Sequence, residues 1–476
     1  MSDKLVQLIK SRGPIRKAGV IGMGYVGIPA AMLMANVPTI EKVYGFQRAS
    51  KSSGYKIEML NRGECPLKGI EPGLDDLVKK VVTEGKFECT SDFSKISELD
   101  AICLAIQTPF KDPKDLIPDF GALIDGIKNV GTQLKPGMLV VLESTITPGT
   151  TAVMAREILE KESGLVAGVD FALAHAPERV MVGRLLQNIQ EHDRCVGGID
   201  DISTARAVEL YSPIMTKGKV IPMSATEAEV TKTTENTIRD LQIAASNQLA
   251  LYCEAMGINF YNVRTGVDSL KGEGITRAML WPGAGVGGHC LTKDTYHLER
   301  GMHMLGGDKL DYPAGEESLY VLARHINDFM PKHMMTLTKN ALRCDSLAGK
   351  KIALLGWAFL ANTDDARNTP SEAYYHLAQD EGALTTVHDV WVKDFPEIPE
   401  LVILKSIEET VKDADAVIVL TGHNEYKELT ADALKVMTGK EHPVIIDGRN
   451  IINPDTFLNA GWIYRGIGRG DKNNLS

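Results

Sequence analysis

Cys290 closes the run Gly283-Ala284-Gly285-Val286-Gly287-Gly288-His289-Cys290, and far upstream stands the glycine loop Gly22-Met23-Gly24-Tyr25-Val26-Gly27. That loop follows a strand-like Ala-Gly-Val-Ile and opens an Ala-rich helix, so its glycines suit a tight turn, close approach of a pyrophosphate and close helix packing. A thiol in a glycine-rich setting is a nucleophile that can hold an aldehyde carbon for a second hydride transfer, which a simple alcohol oxidation does not need. Together the two motifs point to oxidation of an alcohol to an acid through a thioester. An inert buried cysteine and a glycine turn without nucleotide are the plainer alternatives.

Further side chains stand where they could assist. Glu143-Ser144-Thr145 and Pro177-Glu178-Arg179 each end an apolar strand pattern, and ligands of parallel sheets bind at the carboxyl ends of strands. There Glu178 could take a proton or activate water that Thr145 holds, although an ion pair would use Glu178 equally well. Lys232 and Asn236 are four residues apart on one helix face and could hold an oxygen that gathers charge. With Glu229 one turn earlier, this helix by itself favours a surface Glu229–Lys232 pair worth about 0.3–0.5 kcal/mol. Asp294 lies four residues past the thiol, and a helix starting at Cys290 would join Lys293 in lowering the thiol pKa. Where an acid would bond the adenosine ribose, the chain reads Tyr44-Gly45-Phe46-Gln47-Arg48. Gln47 can bond a ribose hydroxyl, and Arg48 suits either a 2′-phosphate or open solvent, so NAD is expected and NADP is compatible.

The elements that must position these groups are legible in the hydropathy pattern. Short apolar runs at Ala18–Ile21, Ala101–Ile106, Leu139–Leu142 and Phe171–Ala174 alternate with amphipathic segments, which predicts a parallel sheet covered by helices. From Thr226 to Met256 an unbroken helical period puts Ile238, Leu241, Ala245, Leu249 and Tyr252 on one stripe of a long helix. Strand candidates return at Lys351–Gly356, Thr385–Asp389, Ala416–Thr421 and Val444–Asp447, and Asp100-Ala101-Ile102-Cys103-Leu104 is echoed by Asp415-Ala416-Val417-Ile418-Val419. The expected fold is α/β, with two Rossmann-like doubly wound parallel-sheet domains joined by a long-helix all-α middle domain. The boundaries read from the pattern are 1–216, 217–330 and 331–476, with Met1–Pro14 and Asp471–Ser476 loose.

At 476 residues the chain exceeds one ordinary core, and 44% hydrophobic with 24% charged residues is globular composition. A net charge of -10 without a basic block argues against nucleic acid or anionic membrane as partner. Seven cysteines without a Cys-x-x-Cys pair argue against disulfides and zinc and for a cytoplasmic location. The uncharged stretch Ala18–Ile40 is broken by glycines and two prolines, so it fits strand, loop and helix better than a membrane span.

In the order of its motifs the chain resembles the UDP-glucose/GDP-mannose dehydrogenase family of nucleotide-sugar 6-dehydrogenases from about Ile15 to Gly468. The glycine loop, Ile70-Glu71-Pro72-Gly73-Leu74, Thr108-Pro109, Ser144-Thr145, Pro177-Glu178-Arg179, Glu229 to Asn236 and Gly285 to Cys290 carry the likeness. So do Ala323-Arg324 with Asn327, Thr363-Asp364-Asp365 with Arg367, and Asp447-Gly448-Arg449. The resemblance implies an N-terminal NAD domain, a dimerising helical middle and a C-terminal nucleotide-sugar domain. It implies that Cys290 is the nucleophile, that Lys232 and Asn236 stabilise the oxyanion, that Glu178 and Asp294 manage protons and that Thr145 positions water. Cofactor contacts are implied for Gly22, Gly24, Tyr25, Val26, Gly27, Gln47, Arg48, Thr108, Thr145 and Arg367, and substrate contacts for Glu178, Arg179, Lys232, Asn236, Gly287 and Arg449. Ala176-Pro177-Glu178-Arg179-Val180 and Gly287-Gly288-His289-Cys290 are similar to the branch acting on UDP-N-acetylhexosamines, while Leu360 and Gln47 depart from the family's usual lysine and acid. A single-step hydroxyacid dehydrogenase, a UDP-glucose or GDP-mannose dehydrogenase and a non-catalytic nucleotide-sugar-binding protein are the rival functions. The expected partners are a nucleotide sugar and a second copy of the chain.

Overall fold

The computed structural model describes residues 2–51, 53–67, 71–112, 115–181, 183–270, 279–306 and 318–473. Ile70 of the Glu71-Pro72-Gly73 motif and the last three residues lie outside them. The chain divides into two compact units, residues 1–235 with 296–312, and residues 236–295 with 313–476.

The first unit is built on strands β1 (Lys17–Ile21), β2 (Lys42–Phe46), β3 (Phe87–Thr90), β4 (Ala101–Leu104), β7 (Leu139–Leu142), β8 (Ala172–His175), β9 (Arg194–Gly198) and β10 (Val220–Ser224), with a separate hairpin of β5 (Phe110–Asp112) and β6 (Ile117–Pro118). Among the described residues the sheet order is β10-β9-β8-β7-β4-β1-β2-β3, parallel throughout except between β8 and β9. All four residues of β4, and likewise of β7 and β8, are buried, because helices cover both faces and leave no side for polar residues.

The second unit carries β11 (Lys351–Leu355), β12 (Leu384–His388), β13 (Ile403–Leu404), β14 (Ala416–Val419), β15 (Val444–Asp447) and β16 (Ile463–Gly466), in the order β13-β12-β11-β14-β15-β16 and parallel throughout. Both sheets reverse direction of strand order beside their first strand, between β1 and β4 and between β11 and β14, which is where doubly wound sheets open a ligand crevice. The repeated Asp-Ala motif has a structural cause. Asp100 Oδ2 accepts the Lys17 N–H at 3.0 Å and Asp415 Oδ2 accepts the Lys351 N–H at 2.9 Å, so each aspartate pins the start of the first strand.

The long helix runs over Ala225–Ala255. Its buried face is largely polar, with Thr233, Thr237, Asp240 and Asn247, whereas Ile238, Ala245 and Tyr252 of the expected apolar stripe are exposed. The N-terminal residues are not loose: Ser2–Arg12 is a helix with Leu5 fully buried, and Arg12 pairs with Asp100 at 3.1 Å. Leu5, Val and Ile at helical spacing inside that segment were the overlooked signal.

Candidate active site

In the first unit the three glycines of the loop do three different things. Gly22 has φ +100° and a Cβ there would sit 2.5 Å from Ala105 O, Gly27 packs against Gly22 O, and Gly24 faces open space. The loop borders a cavity of about 490 Å³ that Gln47, Ser53 and Gln107 also line. An open glycine at a βα turn is the cradle a pyrophosphate requires, so these residues fit a dinucleotide. Thr108 is tied to the neighbouring loop, its hydroxyl donating to Thr145 O at 2.5 Å, and Ser144 Oγ bridges Ile106 N and O at 2.9 and 2.6 Å.

Glu178 follows β8 and is buried against Arg194, which also bonds Glu143 at 3.0 Å and Ala176 O at 2.9 Å and lies 4.0 Å over the Tyr211 ring. Tyr211 in turn donates to Glu143 at 2.7 Å. Burial pushes the Glu143 pKa up, opposed by Arg194, and among the described residues one Glu143 oxygen has no hydrogen-bond partner. Arg194 thus holds two buried carboxylates, and this cation sets the orientation of Glu178. Nothing in the sequence marked Arg194 beyond a lone cation entering an apolar strand. Arg179 is bonded to Glu235 at 3.0 Å and to Asp193 O at 2.8 Å. His175 at the end of β8 was also missed. It is fully buried, burial pushes its pKa down to about 3, and it is neutral.

Among the described residues Glu229 does not form the expected surface pair with Lys232. Glu229 is buried, and its two oxygens accept the Gly149 and Thr151 N–H groups at 2.5 and 2.8 Å, holding the loop that follows Thr145. Burial pushes its pKa up to about 7 despite those bonds. Lys232 stays half-buried one turn on. In the same unit His297 is buried, with Nδ1 3.0 Å from Thr147 Oγ1 and Nε2 3.3 Å from Thr108 O, and so braces the same loop.

The second unit brings Cys290, Asp294 and Asn236 together. Cys290 is half-buried in a turn, and the helix Asp294–Leu305 begins four residues later rather than at the cysteine. Cys290 O accepts the Asp294 N–H at 2.9 Å. The fully buried Asp294 receives Lys293 Nζ on Oδ1 at 2.9 Å and Asn236 Nδ2 on Oδ2 at 2.5 Å. Lys293 therefore pairs with Asp294. The adjacent His289 is kept neutral, burial and then Lys293 lowering it to about 4.

The glycines before Cys290 let the backbone approach its own chain. A Cβ on Gly287 would meet Asn368 O and Phe359 at 2.7 Å, one on Gly285 would meet Pro370 at 2.9 Å, and Gly288 has φ +93° with the Phe359 ring at 2.9 Å. Arg367 O accepts the Gly288 N–H at 2.9 Å, while its side chain bonds Asp365. Arg324, 1% exposed, pairs with Asp240 at 2.6 Å and reaches Val286 O and Leu291 O at 3.4 Å, on either side of the thiol. Asn247 accepts the Gly283 N–H at 2.9 Å. Arg449 lies with its guanidinium beside Gly283, donates to Leu420 O at 2.7 Å, and is lowered to about 10 by burial against the pull of Asp447. The loop before Cys290 is thus packed against or bonded to four segments, at 359–370, Arg324, Asn247 and Arg449. Among the described residues no cluster of His, Cys, Asp or Glu could hold a metal ion, and no helix is long and apolar enough to cross a membrane. None of the seven cysteines is in a disulfide.

Three family models cover most of the chain: the NAD binding domain of the UDP-glucose/GDP-mannose dehydrogenase family matches residues 16–215, its central domain 226–312 and its UDP binding domain 353–454. The chain belongs to this family of NAD-dependent nucleotide-sugar dehydrogenases. It is 35% identical to the UDP-N-acetyl-D-mannosamine dehydrogenase of Pyrococcus horikoshii, covering 96% of this chain and 100% of that one. It is 30% identical to the NDP-N-acetyl-D-galactosaminuronic acid dehydrogenase of Ralstonia solanacearum, covering 92% and 96%. A crystal structure of the NDP-N-acetyl-D-galactosaminuronic acid dehydrogenase from Methanosarcina mazei Go1 matches with TM-score 0.90 and 68% identity over 99% of each chain.

Proposed function

We propose that the chain oxidises the C6 alcohol of a UDP-N-acetylhexosamine to the uronate in two steps, with Cys290 holding the intermediate aldehyde. NAD supplies the chemistry by accepting a hydride in each step, so two cofactors are reduced per sugar. The thiolate of Cys290 adds to the aldehyde carbon to give a thiohemiacetal, loss of hydride from that carbon leaves a thioester, and water then displaces the thiol to release the carboxylate. Lys232 and the second N–H of Asn236 hold the oxygen that carries negative charge, Glu178 and Asp294 manage protons, and Thr145 positions the water. Gly22, Gly24, Tyr25, Val26, Gly27, Gln47, Arg48, Thr108 and Arg367 serve the cofactor, and Arg179, Gly287 and Arg449 the nucleotide sugar.

The observation that carries this reading is the Asn236–Asp294–Lys293 chain beside Cys290. It orients the Asn236 amide through one N–H, and an amide NH2 carries a second donor of the kind an oxyanion needs. The names of the relatives support the hexosamine substrate. The exposed stripe of Ile238, Ala245 and Tyr252 supports the homodimer, testable by sedimentation. The deciding experiment supplies the UDP-N-acetyl derivatives of glucosamine, galactosamine and mannosamine, and UDP-glucose, with NAD. Two NADH per uronate from a hexosamine, and loss of uronate formation in Cys290→Ser, are expected. One NADH per sugar, or a Cys290→Ser variant with intact steady-state uronate production, refutes the scheme.

A further inference from the structure

The carboxyl end of β2 departs from what an NAD site of this architecture presents to the adenosine ribose, which is a carboxylate. Gln47 stands there, its Oε1 accepting the Met23 N–H of the glycine loop at 3.1 Å and its Nε2 donating to Ser53 Oγ at 2.9 Å. The amide accepts the loop N–H as an acid would, without the acid's charge. Of the described residues lining the cavity beside the loop, none is acidic and two are cationic, Arg48 and Lys56. Lys56 Nζ is anchored on Met23 O at 2.9 Å. Arg48 is exposed and rests on the equally exposed Asp125 at 3.2 Å, a pairing weak enough to be exchanged for a better anion. Ser50 and Ser53 add hydroxyls 2.7 Å apart on the same turn.

We infer that this ribose site accepts a 2′-phosphate, so that the chain binds NADP as well as NAD. A carboxylate at position 47 would repel a 2′-phosphate dianion, and Gln47 removes that repulsion. Arg48 brings a planar fork suited to two phosphate oxygens, and Ser53 and the Gln47 amide bring uncharged donors. Against a net charge of -10 for the chain, a cavity with no acid among its described lining residues is the more distinctive.

The inference concerns the nucleotide alone and does not depend on the sugar or on Cys290, so binding tests it without turnover. The full-length protein is titrated calorimetrically with NAD, NADP, 5′-AMP and adenosine 2′,5′-bisphosphate. Expected are a Kd for NADP within about tenfold of that for NAD and tighter binding of the bisphosphate than of AMP. Gln47→Glu, near in shape and still able to accept the Met23 N–H, raises the NADP-to-NAD ratio of Kd values by about tenfold or more. Arg48→Ala raises the same ratio by about threefold or more. An NADP Kd more than about tenfold above that of NAD in the unmodified protein, or a ratio unmoved by Gln47→Glu, overturns the inference. Failure of all four nucleotides to bind overturns it together with the placement of the cofactor at the glycine loop.

Discussion

Replacing Glu229 by glutamine tests whether a buried carboxylate holds the loop after Thr145 at a cost to the fold. Glu229 is fully buried and gives one oxygen each to the Gly149 and Thr151 N–H groups. Burial outweighs both bonds and moves its pKa from 4.5 to about 7. At about 1.4 kcal/mol for each pH unit, that displacement corresponds to about 3 kcal/mol. Because the folded value lies above the unfolded one, ionisation favours the unfolded chain. The contribution of Glu229 to stability is present in full below pH 4.5, declines between 4.5 and about 7, and stays low above that. Glutamine accepts one of the two N–H groups on its carbonyl oxygen and sets an NH2, which cannot accept, against the other, a cost that does not vary with pH; because it does not titrate, the pH dependence of the difference belongs to Glu229. All other titrating groups cancel in the difference between the two proteins. Urea unfolding of both at pH 5, 6, 7 and 8 is expected to show Glu229→Gln gaining on the unmodified protein as pH rises, by about 2 to 3 kcal/mol across that range. A difference that does not vary with pH, or one in which the unmodified protein gains with rising pH, refutes the reasoning.

Arg194→Met removes the cation between two buried carboxylates and is expected to cost about 3–5 kcal/mol, more at pH 8 than at pH 5, because Glu143, already pushed up by burial, loses the charge that opposes that shift. Denaturant midpoints at the two pH values measure this, and a loss independent of pH contradicts it. Gly288→Ala meets the Phe359 ring at 2.9 Å from a φ of +93° and is expected to lose about 1–3 kcal/mol. Gly266→Ala, inside the helix Phe260–Asp268 with open space around it, is the matched control and is expected to be neutral or to gain up to about 1 kcal/mol. Equal thermal shifts for the two alanines would show that crowding at Gly288 is not what its glycine relieves.

Much of the molecule was legible in the chain because parallel sheets write their burial into short local runs. The fully buried β4, β7, β14 and β15 coincide with apolar segments read from sequence, and the Asp100 and Asp415 motifs do the same work at the start of both first strands. The glycine loop was readable for a similar reason, since its backbone needs are met within six residues. The long helix was readable as a helix, but which of its faces is buried was not. Asp240 and Asn247 are buried because partners far away in sequence, Asn327 and Arg324, bond them, and no periodicity of hydrophobic residues encodes that.

By itself, then, the order of residues determined the two sheets, the glycine loop, the nucleophile candidate and the family. These depend on local backbone geometry and on residue types that few alternatives can replace. Tertiary structure alone decided what each charge does: Lys293 neutralises Asp294, Arg194 binds Glu178 and Glu143 at once, and Glu229 serves backbone amides instead of Lys232. It also decided that the glycines before Cys290 accommodate Phe359, Asn368 and Pro370. The physical reason is range. A strand or turn is set by a handful of neighbouring residues, whereas an ion's partner and its exposure to water are fixed only when distant segments close around it.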